Sequence, residues 1–229
     1  MTSKRYGLLF MLLSALVQAE DFREIVFSVY GQYPVKGVEY NPVSEAALAQ
    51  GAEPSPPIEI RTHALSRIGP YSFTGGNHIV FRDKGTDEVV ASVSVPERSD
   101  QWLLIFVRNP HYKDDPDKNL RYLVYPFDDS RQNLPRNGLV FLNVSGKELD
   151  GLLENKRVSF GAGQSNRFRV QESLPVNLWT RDFSGERLLP ALIKTYRFQP
   201  DHRYLMIFFP PVLRGSVDLD VRFLAEAVE

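Results

Sequence analysis

The chain has 229 residues, 43% of them hydrophobic and 24% charged, with 27 Lys+Arg against 28 Asp+Glu and no cysteine. This is the composition of a globular protein, and it excludes wholesale disorder, collagen-like repetition and a polytopic membrane protein. A formal charge of −1 argues against a general nucleic-acid binder held by a large positive field, and the lack of cysteine removes disulfides, thiolate metal sites, cysteine nucleophiles and a lipid-bearing amino-terminal cysteine.

Lys4 and Arg5 precede a mostly apolar run from Gly7 to Val17, and Val17-Gln18-Ala19 puts small side chains at the two positions a signal peptidase reads. This order predicts a secretory signal peptide over residues 1–19, cleaved after Ala19, and hence a periplasmic or secreted protein. The apolar run of 11 residues is shorter than the roughly 20 a spanning helix needs, so no transmembrane anchor is expected after cleavage. What remains is long enough for one sandwich or two small domains held by burial alone.

Downstream, periodicity two dominates. Phe22 to Tyr30 and Val35 to Tyr40 read as a strand pair around Gly31-Gln32-Tyr33-Pro34. Residues 41–57 are rich in proline and alanine and read as a loop or tether, with Ser44 able to cap one helical turn through Glu45-Ala46-Ala47-Leu48. Val89 to Val95 and Val217 to Phe223 alternate apolar with polar residues, the mark of a strand with one wet face. Trp102 to Val107 and Tyr204 to Phe209 are apolar without alternation and end near proline, which predicts strands covered on both faces. No stretch sustains a helical period over three turns, so the expected fold is all-β, an antiparallel β-sandwich.

The order of these elements hints at duplication. Arg82-Asp83 before Gly85 leads to the Trp102 strand, and Arg181-Asp182 before Gly185 leads to the Tyr204 strand. Either two related β-units lie in tandem, or two antiparallel hairpins reuse the same strand chemistry. On the first reading, residues 20–134 form an amino-terminal unit and 135–229 a carboxy-terminal one, joined through the polar stretch Asp128 to Gly138.

Gly138-Leu139-Val140-Phe141-Leu142-Asn143-Val144-Ser145, followed by Gly151-Leu152-Leu153 and Val158-Ser159-Phe160-Gly161-Ala162-Gly163, resembles a family of uncharacterised exported bacterial β-sandwich proteins, mainly over residues 60–229. The resemblance implies fold and compartment, and it carries over no catalytic or ligand residues. In physical terms, Asn143 and Ser145 can fix the turn at Gly146 by bonding nearby backbone, while Gly161 and Gly163 permit positive φ.

Local chemical motifs are few. His63, His78, His111 and His202 lack the spacing of paired metal ligands. Asp115-Pro116-Asp117-Lys118-Asn119 opens like a calcium loop, but Leu120 stands at the glycine position and Pro126 at the glutamate position, so only weak cation binding by Asp114, Asp115 and Asp117 is left open. Gly161-Ala162-Gly163 lacks the third glycine of a dinucleotide loop, and neither a nucleophile elbow nor a phosphate loop occurs. No catalytic residue, cofactor or metal ligand is assigned.

Trp102 and Trp179 are expected in the core, and Tyr30, Tyr33, Tyr40, Tyr71, Tyr122 and Tyr125 are the expected surface aromatics. The basic residues Arg131, Arg136, Lys147, Lys156, Arg157, Arg167 and Arg169 interleave with Glu148, Asp150 and Glu154, which reads as a solvated face. The expected function is an exported noncatalytic envelope or extracellular module with an unknown protein or glycan partner and no nucleic acid. The alternatives are a glycan-binding or glycan-processing protein using a sandwich face, and an assembly subunit pairing through an edge strand.

Overall fold

The computed structural model describes residues 22–228 apart from 100, 113–119, 171, 183 and 214. Residues 1–19, and Asp114, Asp115 and Asp117, therefore lie outside the described residues. The first half of the chain supplies β1 (Arg23–Gly31), β2 (Val38–Tyr40), α1 (Glu45–Ala49), β3 (Ile58–Ile60), β4 (Ile68–Gly75), β5 (His78–Asp83), β6 (Val89–Ser94), β7 (Gln101–Arg108) and β8 (Tyr122–Asp128). The second half supplies β9 (Gly138–Asn143), β10 (Leu149–Leu153), β11 (Lys156–Phe160), β12 (Ser165–Arg169), β13 (Ser173–Arg181), β14 (Leu188–Arg197), β15 (His202–Phe209) and β16 (Asp220–Ala227).

The strands form four sheets of four, ordered β4-β1-β7-β8, β3-β2-β5-β6, β12-β9-β15-β16 and β11-β10-β13-β14. Adding eight to every strand of the first two orders gives the last two. The parallel pairs also correspond, β1 with β7 and β9 with β15, among otherwise antiparallel neighbours. The chain is thus an all-β protein in which one sandwich topology occurs twice. The Arg-Asp pairs fall at corresponding places, at the ends of β5 and β13. Asp83 Oδ1 accepts from the Gly85 N–H (3.0 Å) and Asp182 Oδ1 from the Glu186 N–H (3.2 Å), so each carboxylate closes its own turn.

Three hydrophobic cores explain the two uninterrupted apolar runs. Trp102, Leu104 and Phe106 of β7 enter a core with Ile25, Phe27, Val38, Ile79 and Phe81. Tyr204, Met206 and Phe208 of β15 enter a second with Leu139, Phe141, Phe160, Val176 and Leu178. The opposite faces of the same strands, Leu103, Ile105 and Val107 with Leu205, Ile207 and Phe209, meet Val140 and Leu142 in a third core between the β7 and β15 sheets. A strand alternates sides at every residue, so apolar residues on both parities are what two covered faces require.

Several expectations need correction. Phe22–Tyr30 and Val35–Tyr40 are not partners: β1 pairs with β4 and β7, whereas β2 pairs with β3 and β5 in the facing sheet. The join from Asp128 to Gly138 is packed rather than free, since Leu134 is fully buried in the third core and Asn133 is buried. The last alternating segment becomes a strand only at Asp220. Leu219 instead donates its N–H to the Ala191 carbonyl (3.2 Å), tying the two sheets of its sandwich together. In residues 41–57, Ser44 Oγ accepts from the Ala47 N–H (3.1 Å) to start α1 as expected, and Thr74 of β4 holds the segment's start by bonds to Pro42 and Ser44.

Polar contacts seal the rim of the third core. Arg67 and Arg203 converge on Asp129 and Glu226, with Arg203 Nη2 2.6 Å from Glu226 Oε2 and Arg67 Nη1 3.1 Å from the same oxygen. Burial pushes the Asp129 carboxyl above its ordinary range, against the pull of the two guanidinium groups.

Candidate functional site

β13 decides where the site lies. Val176 and Leu178 enter the second core and Thr180 on the same parity is buried, so the intervening Asn177 and Trp179 face outward. The neighbouring strands then complete a grid on the outer face. Ser159, Asp150, Trp179 and Pro190 form one row across β11, β10, β13 and β14, and Arg157, Leu152, Asn177 and Ile193 form the next. Gly151 sits between the rows. A Cβ there would overlap the Asn177 carbonyl and the Leu178 side chain, so only glycine lets β10 approach β13 this closely.

The result is a shallow depression of about 570 Å³, lined by Trp179 with Leu152 and Leu188 and edged by Asp150, Arg157 and Ser159. Asp150, Arg157 and Ser159 are exposed and Trp179 is half-buried, its ring wedged into the sheet face. Leu188 (54% exposed) and Ile193 (66%) extend the apolar surface along β14. An indole face with hydroxyl, carboxylate, guanidinium and carboxamide groups around it can stack on an apolar ring face and hydrogen-bond the groups at that ring's edge.

Of the aromatics expected at the surface, Tyr33, Tyr71, Tyr122 and Tyr125 are half-buried and the other two are not at the surface. Tyr30 and Tyr40 are buried, with hydroxyls donated to the carbonyls of Ala64 (2.7 Å) and Ser72 (2.9 Å). Burial pushes both phenols up to about 12. Tyr71 and Tyr122 pack on the first core, Tyr125 packs on the third, and Tyr33 lies under the Arg108 guanidinium at 4.6 Å. Trp102 is in the core as expected, whereas Trp179 is the aromatic on the open face. The missed signal was Asn177: a polar residue on the same parity as Trp179 marks that parity as outward.

The histidines do not converge, and among the described residues no three His, Asp or Glu side chains form a metal-sized group. His78 meets Ser94 Oγ (3.1 Å), and His202 meets the Pro200 carbonyl (2.8 Å). Asn143 has the structural part expected of it. Its Nδ2 donates to the carbonyls of Lys147 (2.7 Å), Phe160 (3.0 Å) and Gly161 (3.2 Å), and its Oδ1 accepts from the Ser145 N–H and hydroxyl. A wider depression of about 840 Å³ includes Glu154 and Glu172, but Phe198, its aromatic, is only 9% exposed and offers no open ring face. Of the basic residues expected on a solvated face, Arg157 belongs to the Trp179 grid, Arg136 pairs with Asp201 (3.5 Å) and Arg167 donates to Asn133. No helix among the described residues is long and apolar enough to cross a membrane.

No family model matches the chain, and no curated protein does. The reading of the site therefore rests on its own geometry.

Proposed function

We propose that this chain is an exported noncatalytic binding module of the bacterial envelope or cell exterior, and that its ligand is a glycan held on the Trp179 face. One observation carries the reading: Trp179 is set on an exposed sheet face in register with Asp150 and Ser159, beside the row of Arg157 and Asn177. A pyranose ring has an apolar face and a rim of hydroxyls, which match an indole surrounded by donors and acceptors. The export half of the reading is supported by the basic, apolar and small-residue order of residues 1–19.

Binding is favoured over hydrolysis because the Trp179 depression is lined by one carboxylate, Asp150, whereas glycoside cleavage ordinarily uses two carboxylates flanking the bond. At β14, the edge beside the Trp179 face, the edge-strand alternative has less support. On β14 the Ala191 carbonyl is already taken by Leu219, Pro190 lacks a donor, and Lys194 charges the strand.

The test is a polysaccharide array and affinity electrophoresis with the purified protein and its Trp179→Ala variant. Saturable binding to a defined glycan should weaken at least about thirtyfold in the variant, or about 2 kcal/mol, with an unchanged melting temperature. Glycan binding that survives Trp179→Ala would displace the site, and absence of binding to any glycan would displace the ligand class.

A further inference from the structure

Among the described residues, the two most exposed large apolar side chains are Leu65 (75%) and Leu213 (73%), and Val212 beside Leu213 is 60% exposed. They belong to opposite halves of the chain, Leu65 between β3 and β4 and Val212-Leu213 between β15 and β16. The end of β1 brings the two loops together. Tyr30 donates its hydroxyl to the Ala64 carbonyl (2.7 Å) and rests its ring 6.1 Å from that of Phe209, while Gln32 Nε2 donates to the Pro210 carbonyl (2.8 Å). Thr62 Oγ1 further ties the first loop to this end, donating to the Tyr33 carbonyl (2.8 Å) and accepting from the Val35 N–H (2.8 Å). Both loops are therefore tied at their base to the end of β1.

Cations lie on the Leu65 side of that base. Lys36 and Arg61 are exposed at one depression beside Pro34 and His63, and exposed Arg108 lies over Tyr33. Of the nearby carboxylates, Glu59 pairs with Lys84 (3.0 Å) and more loosely with Arg61 (3.9 Å), Asp220 pairs with Arg222 (2.9 Å), and Asp218 meets, among the described residues, only the Ser216 hydroxyl (3.3 Å). Apolar fingers beside exposed cations, of which Lys36 and Arg108 face no carboxylate among the described residues, match a surface that is oily beneath and negatively charged at its rim.

We propose that this end of the molecule docks on an anionic phospholipid bilayer, with Leu65, Val212 and Leu213 entering the boundary between headgroups and acyl chains and with Lys36, Arg61 and Arg108 facing the phosphates. The contact is peripheral and reversible, and it leaves the Trp179 face to act independently.

Vesicle co-sedimentation tests it, comparing phosphatidylcholine alone with phosphatidylcholine containing about one third phosphatidylglycerol. The protein should bind the anionic vesicles at least about tenfold more tightly, and binding should fall severalfold as salt is raised. Leu213→Asp and, separately, Leu65→Asp should each weaken binding by about tenfold or more without moving the melting temperature, since both side chains are already in solvent. Absence of binding, equal binding to both vesicles, or binding indifferent to both substitutions would overturn the proposal. A concentration-dependent dimer that Leu213→Asp abolishes, without vesicle binding, would instead assign the surface to a second copy of the chain.

Discussion

Replacing Asn143 by alanine should be among the most damaging single changes in the carboxy-terminal half. The side chain is fully buried and makes five hydrogen bonds, three donated to carbonyls and two accepted from Ser145. Two N–H groups share the three carbonyls, so about four full bonds at about 1 kcal/mol net each are lost, about 4 kcal/mol, and water reaching the partly buried carbonyls of Lys147 and Gly161 lowers this to about 3 kcal/mol. Asn143→Asp separates the two halves of the network: it keeps an acceptor for Ser145, gives up the donated bonds, and places a charge against three carbonyl oxygens. Urea unfolding followed by circular dichroism measures both variants. Asn143→Ala should lower the midpoint at unchanged slope and Asn143→Asp should lower it at least as far. A loss below about 1 kcal/mol for alanine would show that the two turns hold themselves, and the account of this junction would be wrong.

Three further outcomes follow from the cores and the sheet contacts. Because the third core joins the sheets of β7 and β15, the fluorescence of Trp102 and Trp179, read separately in Trp102→Phe and Trp179→Phe variants, should report a single unfolding transition; two separated transitions would mean that this core does not couple the halves. Gly151→Ala forces β10 away from the backbone of β13 and should cost at least about 2 kcal/mol by thermal melting, with loss of glycan binding on the same face. For Asp129 the sign follows from its raised pKa. The neutral carboxyl is the form burial favours, so its contribution is full below the ordinary value of 3.8 and declines as pH rises through the higher folded value. The stability of the parent protein relative to Asp129→Asn should therefore fall as pH rises across that window, and a difference that rises instead would show that Arg67 and Arg203 outweigh desolvation.

The fold was legible where burial leaves a periodic mark. Trp102–Val107 and Tyr204–Phe209 announced their two covered faces, and the Arg-Asp turns after β5 and β13 announced the repeated order. Pairing was not legible: β1 and β2 look like a hairpin because they are adjacent and strand-like, but the parallel match of β1 with β7 is set by contacts some seventy residues apart in the chain. The packed join was hidden for a related reason, since polar Asn133 is buried through its hydrogen bond to the Asp128 carbonyl, and composition shows the polarity without the partner. At the site, tyrosines beside turn residues looked exposed, but Tyr30 and Tyr40 turn inward and spend their hydroxyls on backbone. Trp179, set among apolar neighbours, read as a core residue because its direction depends on parity, which only Asn177 records.

The layer between the β7 and β15 sheets also governs how the molecule comes into being. A ribosome delivers Leu103, Ile105 and Val107 long before Leu205, Ile207 and Phe209, which cover them. A nascent chain stopped after β8 has its own sandwich core but a bare greasy flank, the state in which neighbouring chains stick to one another. Synthesis of this protein thus passes through a stage that is fully paired at the backbone and still unsafe to leave alone. Any factor that escorts it would find its handle on the outward parity of β7.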